Sequence, residues 1–270
     1  MNLFLSKVNF WLARYLQKEV RGYRPAATTA LSKLKACLRP GDILLVEGNL
    51  RISTAIKYLT QSTWSHAALY VGPMDGMSGD SGECNEDDDP PCLIEADVIE
   101  GVRAVPLSKY AGQHTRICRA ASLNAEDREK IVSFMIGKLG MKYDIKNAID
   151  LLRYLLPQPP VPTRWRRQML ALGSGDPTRA ICSTLIAQAF QSIKYPILPN
   201  VHTKKDSAVR ADSTSQEIMS IRHHSLFTPR DFDISPYFHV IKPTIEAAFD
   251  HKDIEWKDFP ENLLPIRRNY

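Results

Sequence analysis

The stretch Trp64-Ser-His-Ala-Ala-Leu-Tyr-Val-Gly72 decides the fold. Its apolar run, Ala67 to Val71, is too short for a helix and is stopped by Gly72-Pro73, so it reads as a buried β-strand with His66 at its start. Outward toward the N-terminus, Asp42-Ile-Leu-Leu-Val46 reads as another strand, entered through the turn signal Arg39-Pro40-Gly41. Short helices are expected at Ala26–Leu38 and Ser53–Leu59. Outward toward the C-terminus, Cys92–Ala96, Gly101–Val105 and Thr115–Ala120 read as three more strands. The period then changes. Asn124 caps a helix with acids in its first turn, which runs through Ile131, Phe134, Met135 and Leu139 to Gly140. Further helices are expected at Ile145–Leu156, ended by Pro157, Pro159, Pro160 and Pro162, and at Ile181–Ile193. Residues 203–217 read as a polar loop and Phe238–Ile241 as a late strand. Short strands followed by helices imply an α+β fold, a small, mostly antiparallel sheet or barrel packed against helices.

The chain has 270 residues, 44% of them hydrophobic and 24% charged, which suits a globular protein with a full core. No run approaches the ~20 apolar residues that span a bilayer. The net charge of +5 is unevenly spread. Pro73 to Cys92 carries seven acids and no Lys or Arg; the remainder holds 35 bases against 23 acids, a net of +12. This segment, 73–91, reads as a flexible acidic insertion. No nucleic-acid motif accompanies the basic surface, so nucleic acid is not an expected partner. Five cysteines (Cys37, Cys84, Cys92, Cys118, Cys182) do not read as a disulfide framework, although Cys84 and Cys92 share the acidic loop and could pair, and no Cys-x2-Cys or His-x3-His pair suggests zinc. The expectation is free thiols in a cytoplasmic chain without metal or organic cofactor.

At the N-terminus, Phe4, Val8, Trp11, Leu12 and Tyr15 recur at helical spacing with Lys7, Arg14 and Lys18 between them. Residues 1–20 therefore read as a basic amphipathic helix. It could rest on a membrane surface, giving a peripheral association, or pack on the body of the protein. Leu151–Leu156 and Arg164–Leu172 mix apolar and basic residues in the same way.

A nucleophilic cysteine needs a favoured thiolate, a base within reach and a group that orients the base. Cys182 falls at or near the start of an apolar helix, where backbone N–H groups favour negative charge on sulfur; with Asp176-Pro177 as cap and first residue instead, it falls in the second turn and loses much of this advantage. His66 sits at a strand end and can present its ring to a helix terminus. Glu95, flanked by apolar residues in Leu93-Ile-Glu-Ala96, is unexpected in a strand unless it faces solvent or has a partner; the His66 ring is a candidate partner, with Asp97 as the fallback. Taken singly, Cys182 reads as a buried small hydrophobe and His66 as a surface or structural histidine, while Glu95 reads equally well as facing solvent.

The order of the blocks carries more. A His strand, a Glu strand, Leu139-Gly-Met-Lys-Tyr-Asp144 and then Cys182-Ser-Thr-Leu-Ile-Ala-Gln-Ala-Phe190 resembles the circularly permuted NlpC-type, papain-like cysteine hydrolases, with most likeness to the YiiX/YebB-like branch. Leu38-Arg-Pro-Gly-Asp-Ile-Leu44 and Thr228–Tyr237 add to it, so the likeness runs from about Leu38 to Ile241. The resemblance implies one permuted papain-like domain over 1–270. It implies Cys182 as nucleophile, His66 as base, Glu95 as orienting residue, and Tyr143 beside the site, its hydroxyl helping to hold an oxyanion with the Cys182 N–H. It implies acyl transfer through a thioester on a small-molecule, peptide or lipid-like substrate. Release by water makes a hydrolase, release by an alcohol or amine makes an acyltransferase, and a binding module that kept only the fold is the third reading.

Overall fold

The computed structural model describes residues 14–20, 22–23, 25, 29–74, 89–97, 100–142, 181–203, 217–220, 222–247 and 249–253. The elements in chain order are α1 (Leu31–Cys37), β1 (Ile43–Val46), α2 (Arg51–Thr60), β2 (His66–Tyr70), β3 (Leu93–Asp97), β4 (Gly101–Val105), β5 (Thr115–Ala120), α3 (Ala125–Ile136), α4 (Ile181–Ser192), β6 (Asn200–Thr203), β7 (Glu217–Ser220), α5 (Pro229–Asp233), β8 (Phe238–Ile241) and α6 (Pro243–Glu246). A single 3-10 turn, Leu107–Tyr110, links β4 to β5.

Six strands form one antiparallel sheet in the order β4-β3-β2-β1-β5-β8. The sheet is open, with β4 and β8 at its edges, so the α+β expectation resolves to a sheet rather than a barrel. β1 and β2 lie at its centre, and from Ile43 to Val46 every β1 residue is buried. Strands covered on both faces read as continuous apolar runs, which is why Ile43–Val46 and Ala67–Val71 show no polar alternation.

Alternate residues feed two cores. Ile43, Leu45, Ala67, Leu69, Ile94, Ala96 and Cys118 face α3 and α4 and pack with Ile131, Met135, Leu185, Ile186, Ala189 and Phe190. Leu44, Val46, Ala68, Tyr70, Leu93, Val105 and Ile117 face the other way and pack with Leu34, Leu38, Leu107 and Tyr110. Asn124 caps α3 as expected, its side chain accepting from the Asp127 N–H at 2.7 Å. The regular helix ends at Ile136, three residues before Leu139, and the chain reaches Gly140 through turns.

Gly101 is a position where only glycine fits. Its φ is +80°, and a Cβ there would collide with the Met141 carbonyl oxygen. The close approach lets Gly140 N–H donate to the Val102 carbonyl and Val102 N–H to the Met141 carbonyl, each at 2.9 Å, so the Leu139–Lys142 segment runs along β4.

The neck of the acidic insertion is tied: Met74 N–H donates to the Pro91 carbonyl at 2.9 Å, and Ser108 N–H donates to Asp89 Oδ2 at 2.8 Å. Residues 75–88, the expected helix at Ile145–Leu156, the prolines after it and the Arg164–Leu172 stretch lie outside the described residues, as do residues 1–13. Of the N-terminal segment, Leu16 is 1% exposed and packs on Ile52, Ala55 and Leu59 of α2, while the Arg51 guanidinium lies 4.0 Å from the Tyr15 ring centroid. The end of that segment is thus docked on the body. The β6–β7 pair lies at the two ends of the stretch read as a polar loop, in the register Asn200 opposite Ser220 to Thr203 opposite Glu217. No helix among the described residues is long and apolar enough to cross a membrane.

Asp42, 2% exposed, joins three elements. It accepts from Arg119 Nε at 2.8 Å and Nη2 at 2.7 Å on β5 and from the Arg39 N–H at 2.8 Å, while Arg119 also reaches the Cys37 carbonyl at the end of α1. Removing one member of such a buried pair strands the other. Asp42→Ala is expected to lower unfolding stability by roughly 3 kcal/mol in a urea titration; a loss under about 0.5 kcal/mol would show that the pair is no better than a surface one.

Candidate active site

The register of β2 against β3 places Leu69 opposite Ile94 and Tyr70 opposite Leu93. Continued by one pair, it sets Ala68 opposite Glu95, so His66 and Glu95 are diagonal neighbours on the face that also carries Ala68 and Leu93. Diagonal neighbours lie ~7–8 Å apart at the backbone, within reach of two long side chains. His66 Nε2 and Glu95 Oε2 are 2.9 Å apart. The other ring nitrogen, Nδ1, is left for Cys182, which hydrogen-bonds the His66 side chain.

Cys182 comes from the opposite layer. It is the second residue of α4, held there by Leu185, Ile186, Ala189 and Phe190 against the sheet. The sulfur meets β2 at a particular N–H. In an antiparallel strand the N–H groups of alternate residues point to opposite neighbours. Val71 N–H donates to the Cys92 carbonyl at 2.9 Å, so the odd-numbered residues of β2 point toward β3. Ala67 is one of these, and its N–H is hydrogen-bonded to the Cys182 sulfur. The start of α4 thus meets the sheet at the β3 side of β2. Ser183 supplies a second backbone N–H to the sulfur, and its side chain anchors the turn by donating to the Phe227 carbonyl at 2.9 Å.

Burial alone would push the Cys182 thiol up. The charge of His66, its hydrogen bond, and the Ala67 and Ser183 N–H groups overturn this and leave the thiol below its ordinary value. Burial likewise disfavours a charged His66, but the charge and hydrogen bond of Cys182, followed by those of Glu95, raise the imidazole to about 10. The two shifts share one cause, the attraction between a sulfur anion and an imidazolium beside it, and each favours the charged form of its group.

Glu95 is only 2% exposed, and burial alone would push its carboxyl up. The His66 hydrogen bond and charge, then the charge of Lys109 and its hydrogen bond, hold it far below the usual carboxylate range. Three donors share this carboxylate with His66. Arg103 Nε donates to Oε1 at 2.8 Å, Lys109 also donates to Oε1, and the buried Tyr110 hydroxyl donates to Oε2, the oxygen that meets His66. The Tyr110 and His66 ring centroids are 6.1 Å apart. Asp97 is engaged elsewhere, accepting from Gln17 Nε2 at 3.1 Å and from the Glu100 N–H at 2.9 Å.

Of the four side chains singled out in the sequence, the structure therefore brings together Cys182, His66 and Glu95. Tyr143 lies outside the described residues. Arg103, Lys109 and Tyr110 were missed. Arg103 had a signal: it stands directly opposite Glu95 in the β3–β4 register, a cross-strand pair of opposite charge. Lys109 and Tyr110 sit on a 3-10 turn whose residue spacing does not announce which side chains point inward. Among the described residues, no group of three or more His, Cys, Asp or Glu is arranged to hold a metal ion.

Residues 37–152 match the family described as permuted papain-like amidase enzymes, the YaeF/YiiX or C92 family, and bear out the resemblance read from the sequence. Among solved structures, the chain is similar to one titled the metalloprotein yiiX from Escherichia coli O157:H7, with 14% identity and a TM-score of 0.41, covering 82% of this chain and 98% of that one. No curated protein matches the chain.

The paired thiolate has a direct readout. Alkylation of Cys182 by iodoacetamide, followed by mass spectrometry of the labelled peptide, is expected to show a pH midpoint below that of a free thiol. The thiolate is the deprotonated form, so a lowered pKa carries reactivity to lower pH. His66→Asn removes the charge that lowers it and is expected to move the midpoint upward; a midpoint unmoved by that substitution would remove His66 from the sulfur's surroundings.

Proposed function

We propose that this chain is a thiol-dependent hydrolase that cleaves an amide or ester through Cys182, His66 and Glu95. The observation that carries the reading is the unbroken chain of contacts from the α4 sulfur to the His66 ring and on to the buried Glu95 carboxylate. The matched family of permuted papain-like amidases supports the same class of chemistry.

The steps follow from the resting charges. The Cys182 thiolate attacks the substrate carbonyl carbon, and negative charge moves to the carbonyl oxygen. The Cys182 backbone N–H, in the first turn of α4, is a donor suited to that oxygen. As the tetrahedral centre collapses, protonated His66 gives its proton to the leaving nitrogen or oxygen, and a thioester remains on Cys182. Neutral His66 then takes a proton from water, whose oxygen attacks the thioester; the acid leaves and the thiolate–imidazolium pair is restored. Glu95 keeps the ring oriented and stabilises its charged form, and Arg103, Lys109 and Tyr110 keep Glu95 ionised.

An amphiphilic substrate is part of the proposal. It is supported by the apolar and basic residues interleaved at Phe4–Tyr15 and Arg164–Leu172. Deleting residues 1–13, while retaining the docked Leu16, is expected to lower co-sedimentation with anionic vesicles; unchanged partitioning would reject peripheral contact through this segment.

Cys182→Ala is expected to abolish turnover of acyl esters and amides and to abolish the acyl adduct seen by mass spectrometry. His66→Ala is expected to lower turnover by on the order of 10²-fold or more. Activity needs both the thiolate and the imidazolium, so it should fall as pH rises through the His66 value of about 10. Glu95→Gln removes a contact that raises that value, and should shift the falling limb to lower pH. Full activity in both the Cys182 and His66 variants would overturn the reading.

A further inference from the structure

A cleft of about 580 Å³ has a lining that includes Glu47, Lys57, Trp64, Arg116, Arg230 and Asp233. It opens at the end of the sheet where His66 begins β2. Val46 pairs with both His66 and Thr115, and the next residue, Glu47, takes the His114 carbonyl at 2.9 Å through its N–H. Trp64 precedes His66 by two residues and packs in the same core as Cys182. Helix α5 contributes Arg230 and Asp233 to the lining, and it starts two residues after Phe227, whose carbonyl anchors Ser183. The cleft is therefore bounded by the segments that place both the base and the nucleophile.

Its charged lining leans positive, with Lys57, Arg116 and Arg230 against Glu47 and Asp233. Both carboxylates are engaged within the wall. Glu47 accepts from the Tyr23 hydroxyl and from His114 Nδ1 at 2.8 Å, with Lys57 Nζ at 3.6 Å. Asp233 accepts from Trp64 Nε1 at 3.0 Å and from Arg116 Nη1 at 2.6 Å. The guanidinium groups are less fully used. Arg230 donates through Nη1 to the Thr60 carbonyl at 3.0 Å, and Arg116 donates through Nη1 while lying 4.9 Å from the Trp64 ring centroid. A guanidinium has five N–H donors in a planar fork, so each retains donor capacity beyond the contact it makes among the described residues. Two planar forks with spare donors lining one cleft suit a carboxylate or phosphate group.

We infer that this cleft is an anion-binding subsite that takes a carboxylate or phosphate carried by the substrate, with Arg230 and Arg116 as its donors. The placement of the anion next to the reacting bond rests on the hydrolase reading above; the binding of the anion does not. The subsite narrows the substrate class to amides or esters bearing an oxyanion, and it makes Arg230 a specificity-determining residue.

Two measurements test this and keep the two readings apart. In the first, Cys182→Ala protein is titrated calorimetrically with glutarate and, separately, with inorganic phosphate. At least one is expected to bind, at least tenfold more weakly when Arg230→Gln is added and with partial recovery in Arg230→Lys, thermal melts confirming that each variant is folded. The tighter of the two identifies the anion. In the second, active protein is given matched p-nitroanilides ending in a methyl, carboxylate or phosphate group. The ratio of kcat/KM for the anionic over the methyl substrate is expected to drop at least tenfold in Arg230→Gln, chiefly through KM. Anion binding that depends on Arg230, without turnover of any substrate, would uphold the subsite and sink the hydrolase. Absence of binding by both anions, or binding indifferent to Arg230 and Arg116 substitutions, would overturn the subsite.

Discussion

A carboxylate removed from water stays charged only if the protein replaces the lost hydration with donors, and Glu95 shows how far the surrounding fold serves that requirement. Its four partners come from β2, β4 and the 3-10 turn that follows β4. None of these contacts is local in the sense of a helix cap. The β3–β4 register brings Arg103, the turn brings Lys109 and Tyr110, and the β2–β3 register brings His66. A change in strand register by one residue would turn Glu95 to the opposite core and leave it without donors, so pairing, orientation and ionisation are one constraint.

The sulfur is governed by a different economy. A thiol buried at 5% exposure is ordinarily protonated and inert. Here the burial is opposed by an imidazolium and by N–H groups from two elements, β2 and α4 itself. The Ala67 N–H is the informative one, because it lies on the edge of β2 that faces β3 and yet serves a sulfur. The sheet thereby contributes a backbone donor to the sulfur, in addition to carrying the imidazole. The helix terminus alone would have been a weaker device, since its field fades within the first turn.

Much of this was legible in the sequence. The strands from Ile43 to Ala120 lie within a residue or two of their expected places because apolar runs bounded by Gly, Pro and turn residues allow few other readings. Asn124 announced its cap through the acids that follow it. The candidate triad emerged from block order, since no single residue distinguished a catalytic cysteine from a buried one. The remainder depends on information that spacing does not hold. Tyr110 reads as a core aromatic, and only the three-dimensional position of its hydroxyl gives it a role. Arg230 and Asp233 lie in a five-residue helix with a Thr228–Asp231 capping box, too short for a hydrophobic period to show. The β6–β7 pair was hidden because its two halves are short and far apart in polar sequence.

The separations along the chain also divide the site into two parts. His66 and Glu95 are 29 positions apart and belong to adjacent strands, so their contact forms with the sheet. Cys182 enters only when α4 docks, through Leu185, Ile186, Ala189 and Phe190, none of which touches chemistry. Ordering that helix costs conformational entropy, which burial of its apolar face must offset. The His–Glu half can therefore persist in a chain whose helix has loosened, while the thiolate cannot, because His66 and the Ala67 N–H are what lower its pKa. Reactivity at Cys182 is in this sense a report on the packing of a helix face one to two turns away.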